Sequence, residues 1–311
     1  MNILYYAKYY LITHLPDAYY RQRYTRIREY EQRCDPDELE IRLNYYFKVR
    51  EPFTLPDSVP QVSDFRKTGS TTYYLDLLEY FRFFKGHARF AYHFGDQTFI
   101  NPYPTFFKAR VINAFNANSV LLKLNKFRHY KWVRDPYPFH QKKDLAVWRG
   151  GVGRAWREAL VRQYWDHPLC DIGQTNHSPE PAPWQKPKMS IQEQLQYKFI
   201  LSIQGNDVAT NLKWVMSSNS ACIMPQPTKE TWFMEGTLIP NYHYIQIRHD
   251  YADLEQKILY YLDHPDEAQE IVSNAHRYVL QFRDDLKEDL LCLRVMERYA
   301  ELSGQHDVLK F

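Results

Sequence analysis

The chain has 311 residues, more than one hydrophobic core usually serves, so two domains of roughly 150 residues each are expected, with an active site in the cleft between them. Forty Lys and Arg against 37 Asp and Glu leave a formal charge of +3, too balanced for a dedicated nucleic-acid or membrane binder. Four scattered cysteines, Cys34, Cys170, Cys222 and Cys292, contain no CxxC pair, which argues against a disulfide framework or a zinc site and for a reducing cytoplasm.

The first 20 residues carry Tyr, Lys, His and Asp without an unbroken apolar core, unlike a secretory signal. No stretch approaches the roughly 20 apolar residues that span a bilayer. Residues 1 to about 50 have helical spacing, and Asp35-Pro36-Asp37-Glu38 opens a helix with acids in its first turn. Pro52, Pro56 and Pro60 interrupt it, and Leu75 to Phe81 resumes a helix. Ala88 to Phe94 reads as a buried strand halted by Gly95-Asp96. Asp96 then either caps that turn or acts as a general base at the strand's carboxyl edge.

Ser119 to Leu124 leads into the basic, aromatic segment Asn125 to Trp132, and Asp135-Pro136-Tyr137-Pro138 has linker composition. Leu145 to Trp148 is strand-like and enters Arg149-Gly150-Gly151-Val152-Gly153-Arg154. That junction is neither a P-loop nor a dinucleotide fingerprint. It sets Arg154 and Arg157 a helical turn apart, able to converge on one anion or to remain solvated. After the Pro-rich loop Pro179 to Pro187, Ser190-Ile191-Gln192-Glu193 is a capping box.

The apolar run Phe199 to Ile203 feeds Gly205-Asn206-Asp207-Val208-Ala209-Thr210-Asn211-Leu212-Lys213-Trp214. A glycine that admits close approach, free N–H groups at a helix start and one lysine make this an anion-binding loop. Ala221 to Met224 and Tyr242 to Ile247 are further strands; Leu254, Ile258, Tyr261 and Leu262 form a helical stripe, and Ile271 to Tyr278 and Leu286 to Leu302 are helices. From about residue 145 the alternation predicts a doubly wound parallel sheet. Glu230 and Glu235 could accept bonds from ribose hydroxyls or be solvated loop acids, and His243 reads as a core or hydrogen-bonded histidine. The twelve histidines show no metal spacing.

In order and spacing, Trp148-Arg149-Gly150, Asp171-Ile172-Gly173, Tyr197-Lys198-Phe199, Gly205 to Lys213, Ser218-Asn219-Ser220 and His243-Tyr244-Ile245 resemble glycosyltransferase family 90. That family includes capsule-associated proteins, bacterial lipopolysaccharide glycosyltransferases and protein O-glucosyltransferases. The resemblance spans roughly residues 85 to 282 and looks closest to the bacterial branch. It implies an α/β, GT-B-like fold: two Rossmann-like domains facing across a cleft, with a helical amino-terminal segment and carboxyl-terminal helices. On this view residues 1–138 form the acceptor side, 139–282 the nucleotide-sugar side, and 283–311 a terminal helix packing back across both.

The resemblance further implies an inverting, metal-independent transfer of a glucose-like sugar from a UDP-sugar to a hydroxyl of a lipopolysaccharide or other surface glycan, without a cofactor. Asp96 matches the catalytic aspartate. Arg149, Gly151, Arg154, Arg157 and the loop Gly205, Asn206, Asp207, Val208, Ala209, Thr210, Asn211 and Lys213 fall on the donor side. Protein O-glucosyltransferases carry serine and arginine where this chain has Ala209 and Asn211, so a phosphate contact made there is missing or moved, and Thr210, Lys213 or Arg154 could compensate. The acceptor is expected to be a glycan or lipid-linked oligosaccharide, met in the cytoplasm at the inner face of the inner membrane, with no nucleic-acid partner. A competing reading is a non-catalytic carbohydrate-binding or assembly protein using a Tyr-rich face.

Overall fold

A computed structural model describes residues 6, 7, 10–12, 14–177 and 182–311; parts of the expected amino-terminal helical segment and of the Pro-rich loop lie outside the described residues. In chain order the main elements are α1 (Asp17–Glu31), α2 (Pro36–Tyr46), α3 (Thr71–Phe81), β1 (Thr105–Phe107), β2 (Ala109–Val111), β3 (Ser119–Leu121), β4 (Lys143–Gly150), α4 (Ala155–Tyr164), β5 (Cys170–Gln174), β6 (Tyr197–Leu201), α5 (Leu212–Met216), β7 (Ala221–Pro225), β8 (Lys229–Thr231), β9 (Ile245–Ile247), α6 (Leu254–Asp263), α7 (Pro265–Leu280) and α8 (Asp285–Leu302). Local chemistry sets several starts. The Asp35 carboxylate accepts the Asp37 N–H at 2.9 Å and Pro36 occupies the first turn of α2, where its missing N–H costs nothing. Ser190 and Glu193 make the expected reciprocal capping box.

The chain divides into two compact units, one of Met1–Arg128, Lys229–Met234 and Phe282–Phe311, the other of His129–Thr228 and Glu235–Gln281. The division falls before the expected boundary at 138, and the terminal helix belongs to the first unit, where α8 packs on α1 and α2.

The second unit is the doubly wound domain that the alternation predicts. Its five strands are all parallel, in the order β5-β4-β6-β7-β9. Alternate residues Ala146, Trp148, Phe199, Leu201, Ile223, Ile245 and Ile247 join one buried cluster with Leu160 and Val161 of α4 and Leu254, Ile258 and Tyr261 of α6, so the two periodicities meet in one core. Strand β5 is absent from the sequence reading, because Cys-Asp-Ile-Gly-Gln carries residues that strands disfavour; it forms because β4 supplies its ladder, pairing Trp148 with Ile172 and Arg149 with Gly173.

The first unit holds two small sheets, parallel β1-β3 and antiparallel β2-β8. The expected strand over Ala88 to Phe94 does not form as a ladder: it makes two isolated bridges, Arg89 to Gln61 and Tyr92 to Phe106. Aromatic packing adds to them. Phe90 lies within 4.9 to 5.9 Å of the rings of Phe84, Phe81, Tyr299 and Phe106, and the Ala91 N–H is taken by the Tyr299 hydroxyl at 3.1 Å.

Candidate active site

The order β5-β4-β6-β7-β9 means that the chain leaves β4 toward one edge of the sheet and resumes at β6 on the other side of β4. The carboxyl ends of β4 and β6 therefore flank a topological switch point, where open α/β sheets leave a crevice for ligands. Of the two stretches singled out by sequence, Arg149 to Arg154 runs out of the end of β4 and Gly205 to Trp214 follows β6.

Side chains of α4 join the loops. The Arg157 guanidinium donates to three main-chain carbonyls: Ile203 at 2.7 Å, Gln204 at 3.0 Å and Gly151 at 3.1 Å. The Trp156 indole N–H also donates to the Gln204 carbonyl, at 2.8 Å. Burial lowers the Arg157 pKa from its ordinary value, consistent with a cation held by oriented carbonyls instead of water. Arg154, exposed one residue before α4, donates through Nε and Nη2 to Asn206 Oδ1 at 2.7 and 2.5 Å. Arg154, Arg157, Gly151, Gly205 and Asn206 are thus brought together. A Cβ at Gly205 would lie 3.2 Å from Arg157 Nη2, and one at Gly150 only 2.3 Å from the Trp148 indole, so the close approach of these segments depends on glycine.

Arg149 faces elsewhere. It donates to the carbonyls of Pro187 and Asp171 and, at 2.8 Å, to Asp171 Oδ1. Lys186 and Tyr197 donate to the same carboxylate at 3.0 and 2.8 Å. Burial raises the Asp171 pKa, but these three hydrogen bonds outweigh it and the net direction is down. The cluster locks β4, β5 and β6 below the loops.

The opening tract does not start a long helix. Asn206 to Val208 form a bend, and α5 begins only at Leu212 and runs five residues. The longer helix that begins beside the switch point is α4, whose first turn carries no side-chain cap. Asp207, Val208 and Ala209 are buried and Thr210 is half-buried. Asn211 donates to the Leu201 carbonyl at 2.9 Å and accepts from the Ser202 hydroxyl at 3.1 Å, clasping the loop to β6. Lys213 is fully buried and paired with Glu235 Oε1 at 2.5 Å; a diphosphate contact from Lys213 would require that pair to open.

In the first unit, Asp96 follows the aromatic-packed run with about a third of its side chain exposed. Its Oδ1 accepts from Lys108 Nζ at 2.5 Å and from the Tyr73 hydroxyl at 3.3 Å. Burial pushes its pKa up, but the Lys108 charge and hydrogen bond, then Arg128 and Tyr73, hold it below the ordinary value. Asp96 is a fixed carboxylate able to accept a proton from a hydroxyl placed at its free oxygen.

Sequence reasoning missed Lys108, Tyr73, Trp156, Gln204 and Asn176. Asn176 accepts the Val152 N–H at 2.6 Å and donates to the Val152 carbonyl at 3.1 Å. None sits in a recognisable spacing. Glu230 and Glu235 are not solvated loop acids: both are buried, Glu230 takes Arg110 Nε at 2.6 Å, and Glu235 holds Lys213. His243 accepts the Ile239 N–H at 2.9 Å through Nδ1, as expected of a hydrogen-bonded histidine. Lys126, from the basic segment, pairs with Glu79 at 2.6 Å. Among the described residues, no group of three His, Cys, Asp or Glu converges as metal ligands, and no helix is long and apolar enough to cross a membrane.

The model of glycosyl transferase family 90 matches residues 113–306, a stretch that includes the switch-point loops and begins after Asp96. The chain is 43% identical over 264 residues to the O-glucosyltransferase LpsA of Dichelobacter nodosus, covering 85% of this chain and 83% of that protein. The matched stretch holds the whole parallel sheet and both loops at its switch point, and the chain belongs to glycosyl transferase family 90.

Proposed function

We propose that this glycosyltransferase moves glucose, or a sugar like it, from a UDP-sugar to a hydroxyl of a lipopolysaccharide or related surface glycan, with inversion at the anomeric carbon. The carrying observation is the pair of loops at the β4/β6 switch point, where Arg154 meets Asn206 and Arg157 ties the loops together. The similarity to a protein named O-glucosyltransferase LpsA supports glucose and a lipopolysaccharide-type acceptor. A GT-B arrangement, with the second unit as its nucleotide half, belongs to the same proposal, as does work at the cytoplasmic face of the inner membrane.

In the proposed reaction the acceptor oxygen attacks the anomeric carbon and forms the new glycosidic bond. The bond from that carbon to the diphosphate oxygen breaks, its electron pair leaves with UDP, and the acceptor proton passes to the Asp96 carboxylate. One displacement inverts the configuration. Charge developing on the diphosphate is met by Arg154 and the positive end of α4, while Arg157 keeps the loops in place through carbonyls. These groups supply the stabilisation without a metal in the proposed scheme.

The test is UDP release from UDP-glucose, UDP-galactose and UDP-xylose with a truncated lipopolysaccharide oligosaccharide as acceptor, followed by mass analysis and anomeric NMR of the product. UDP-glucose is expected to turn over with a mass gain of one hexose and an inverted linkage. Absence of UDP release from all three donors, together with no thermal stabilisation by UDP, would overturn the proposal.

A further inference from the structure

The first unit contains a cavity of about 410 Å³ outside the residues assigned to chemistry, lined by α1, α3 and the start of α8 together with Lys123 and Lys126. Its size falls in the range of small-ligand pockets, yet its walls are charged instead of apolar. Arg23 reaches both Glu79 and Asp289 at 2.7 Å, Lys126 reaches Glu79 at 2.6 Å and Lys123 reaches Glu288 at 3.0 Å. Glu79, Lys123 and Glu288 are all more than nine-tenths buried. Tyr19 adds aromatic surface, and the buried Tyr80 donates its hydroxyl to Asp289 at 3.0 Å.

A cavity walled by buried ions is costly unless each charge is paired, and here the buried cations and carboxylates offset one another. A free anion would disturb that balance. A neutral polyhydroxylated ligand would not, because each hydroxyl can donate to a carboxylate and accept from a guanidinium, while the Tyr19 ring can cover an apolar face. At the rim, Arg26 is exposed and makes no ion pair among the described residues. Tyr73, which touches Asp96, and Tyr80, which lines the cavity, lie seven residues apart on α3; they share a helix face, roughly 10 Å apart along the axis.

We propose that this cavity is a carbohydrate subsite, taking a neutral pyranose unit of the acceptor glycan remote from the hydroxyl that reacts. Its assignment to the acceptor rests on the transferase reading above; its preference for a neutral sugar rests on the lining alone.

The test uses the full chain and saturation-transfer NMR with methyl α-D-glucopyranoside and methyl α-D-galactopyranoside, with UDP and inorganic phosphate as separate probes. Gln22→Trp would fill the mouth and Arg26→Ala would remove a rim donor; both positions are exposed on α1, so thermal melting should match wild type. At least one pyranoside is expected to give a signal that falls fivefold or more in Gln22→Trp and about twofold in Arg26→Ala, with the UDP signal unchanged. No pyranoside signal in wild type, equal signals in wild type and Gln22→Trp, or displacement of the pyranoside by millimolar phosphate would each overturn the subsite. A missing UDP signal beside an intact pyranoside response would overturn the transferase reading and leave the sugar cavity standing.

Discussion

The switch-point loops of the second unit and the helical core of the first use their charged residues differently. In the second unit, Arg157 and Arg149 spend their guanidinium groups on main-chain carbonyls and Asp171, so cations become struts for loops. In the first, Arg23, Lys123 and Lys126 pair with carboxylates around a helical core, and Arg110 pairs with Glu230 across β2 and β8, so charge is held against charge. The contrast teaches that an arginine after a glycine-rich turn is not by that fact a phosphate ligand. Of the three arginines there, Arg154 is the exposed one.

The largest break in this comparison should come from the one carboxylate assigned to proton transfer. Asp96→Asn keeps the size and the Lys108 and Tyr73 neighbours but removes the base, so kcat should fall roughly 10²- to 10⁴-fold, with thermal stabilisation by UDP unchanged. A variant within threefold of wild type would end that assignment.

Next comes Lys213, a buried cation of the second unit. Lys213→Ala removes the cation held against the buried Glu235 carboxylate, and denaturant unfolding should show a loss of about 3–5 kcal/mol. Lys213→Met combined with Glu235→Leu should recover most of it. If Lys213→Ala instead left stability intact and weakened UDP binding, Lys213 would be a phosphate ligand as its position in the loop suggests.

Gly150→Ala probes the strand end below the loops. Its Cβ would fall 2.3 Å from the Trp148 ring, so a stability loss of about 1–3 kcal/mol is expected from forced repacking, read in the same unfolding assay.

A change of pH slope is expected in the first unit. Burial, with help from Glu79, pushes the Asp76 carboxyl up from 3.8 to about 7 against the lowering effect of Lys126. A raised folded pKa means that its contribution is full below the ordinary carboxylate range and is lost as pH rises through about 7. Asp76→Asn should therefore gain on wild type progressively between pH 4 and 8 in melting temperature; parallel curves would show that Asp76 titrates normally.

Much of the second unit was legible because burial and periodicity coincide there. Ala146, Phe199, Ile223 and Ile245 sit in short apolar runs with turn residues after them, and Leu254, Ile258 and Tyr261 mark one helix face. The short runs gave positions for the strands but not the neighbour of each, so β5 went unseen. In the first unit, Ala88 to Phe94 has strand composition, yet it makes only isolated bridges, and aromatic rings and the Tyr299 hydroxyl supply further contacts. Of the candidate site, the loop positions and the exposed Arg154 could be named in advance. The commitment of Lys213 to Glu235, of Asn211 to β6 and of Lys108 to Asp96 could not, because each bond joins residues whose meeting no spacing encodes.

The sequence by itself determined the elements that depend on near neighbours: the capped start of α2, the capping box at Ser190, the helical stripe of α6 and the glycines that let chain segments approach closely. Tertiary structure alone decided the strand order that puts a switch point between β4 and β6, which arginines face carbonyls and which faces solvent, and which carboxylates neutralise buried cations. Helix caps and periodicity act over a turn or two of chain. Electrostatic pairing and sheet order depend on distances in space, set only when the whole core closes.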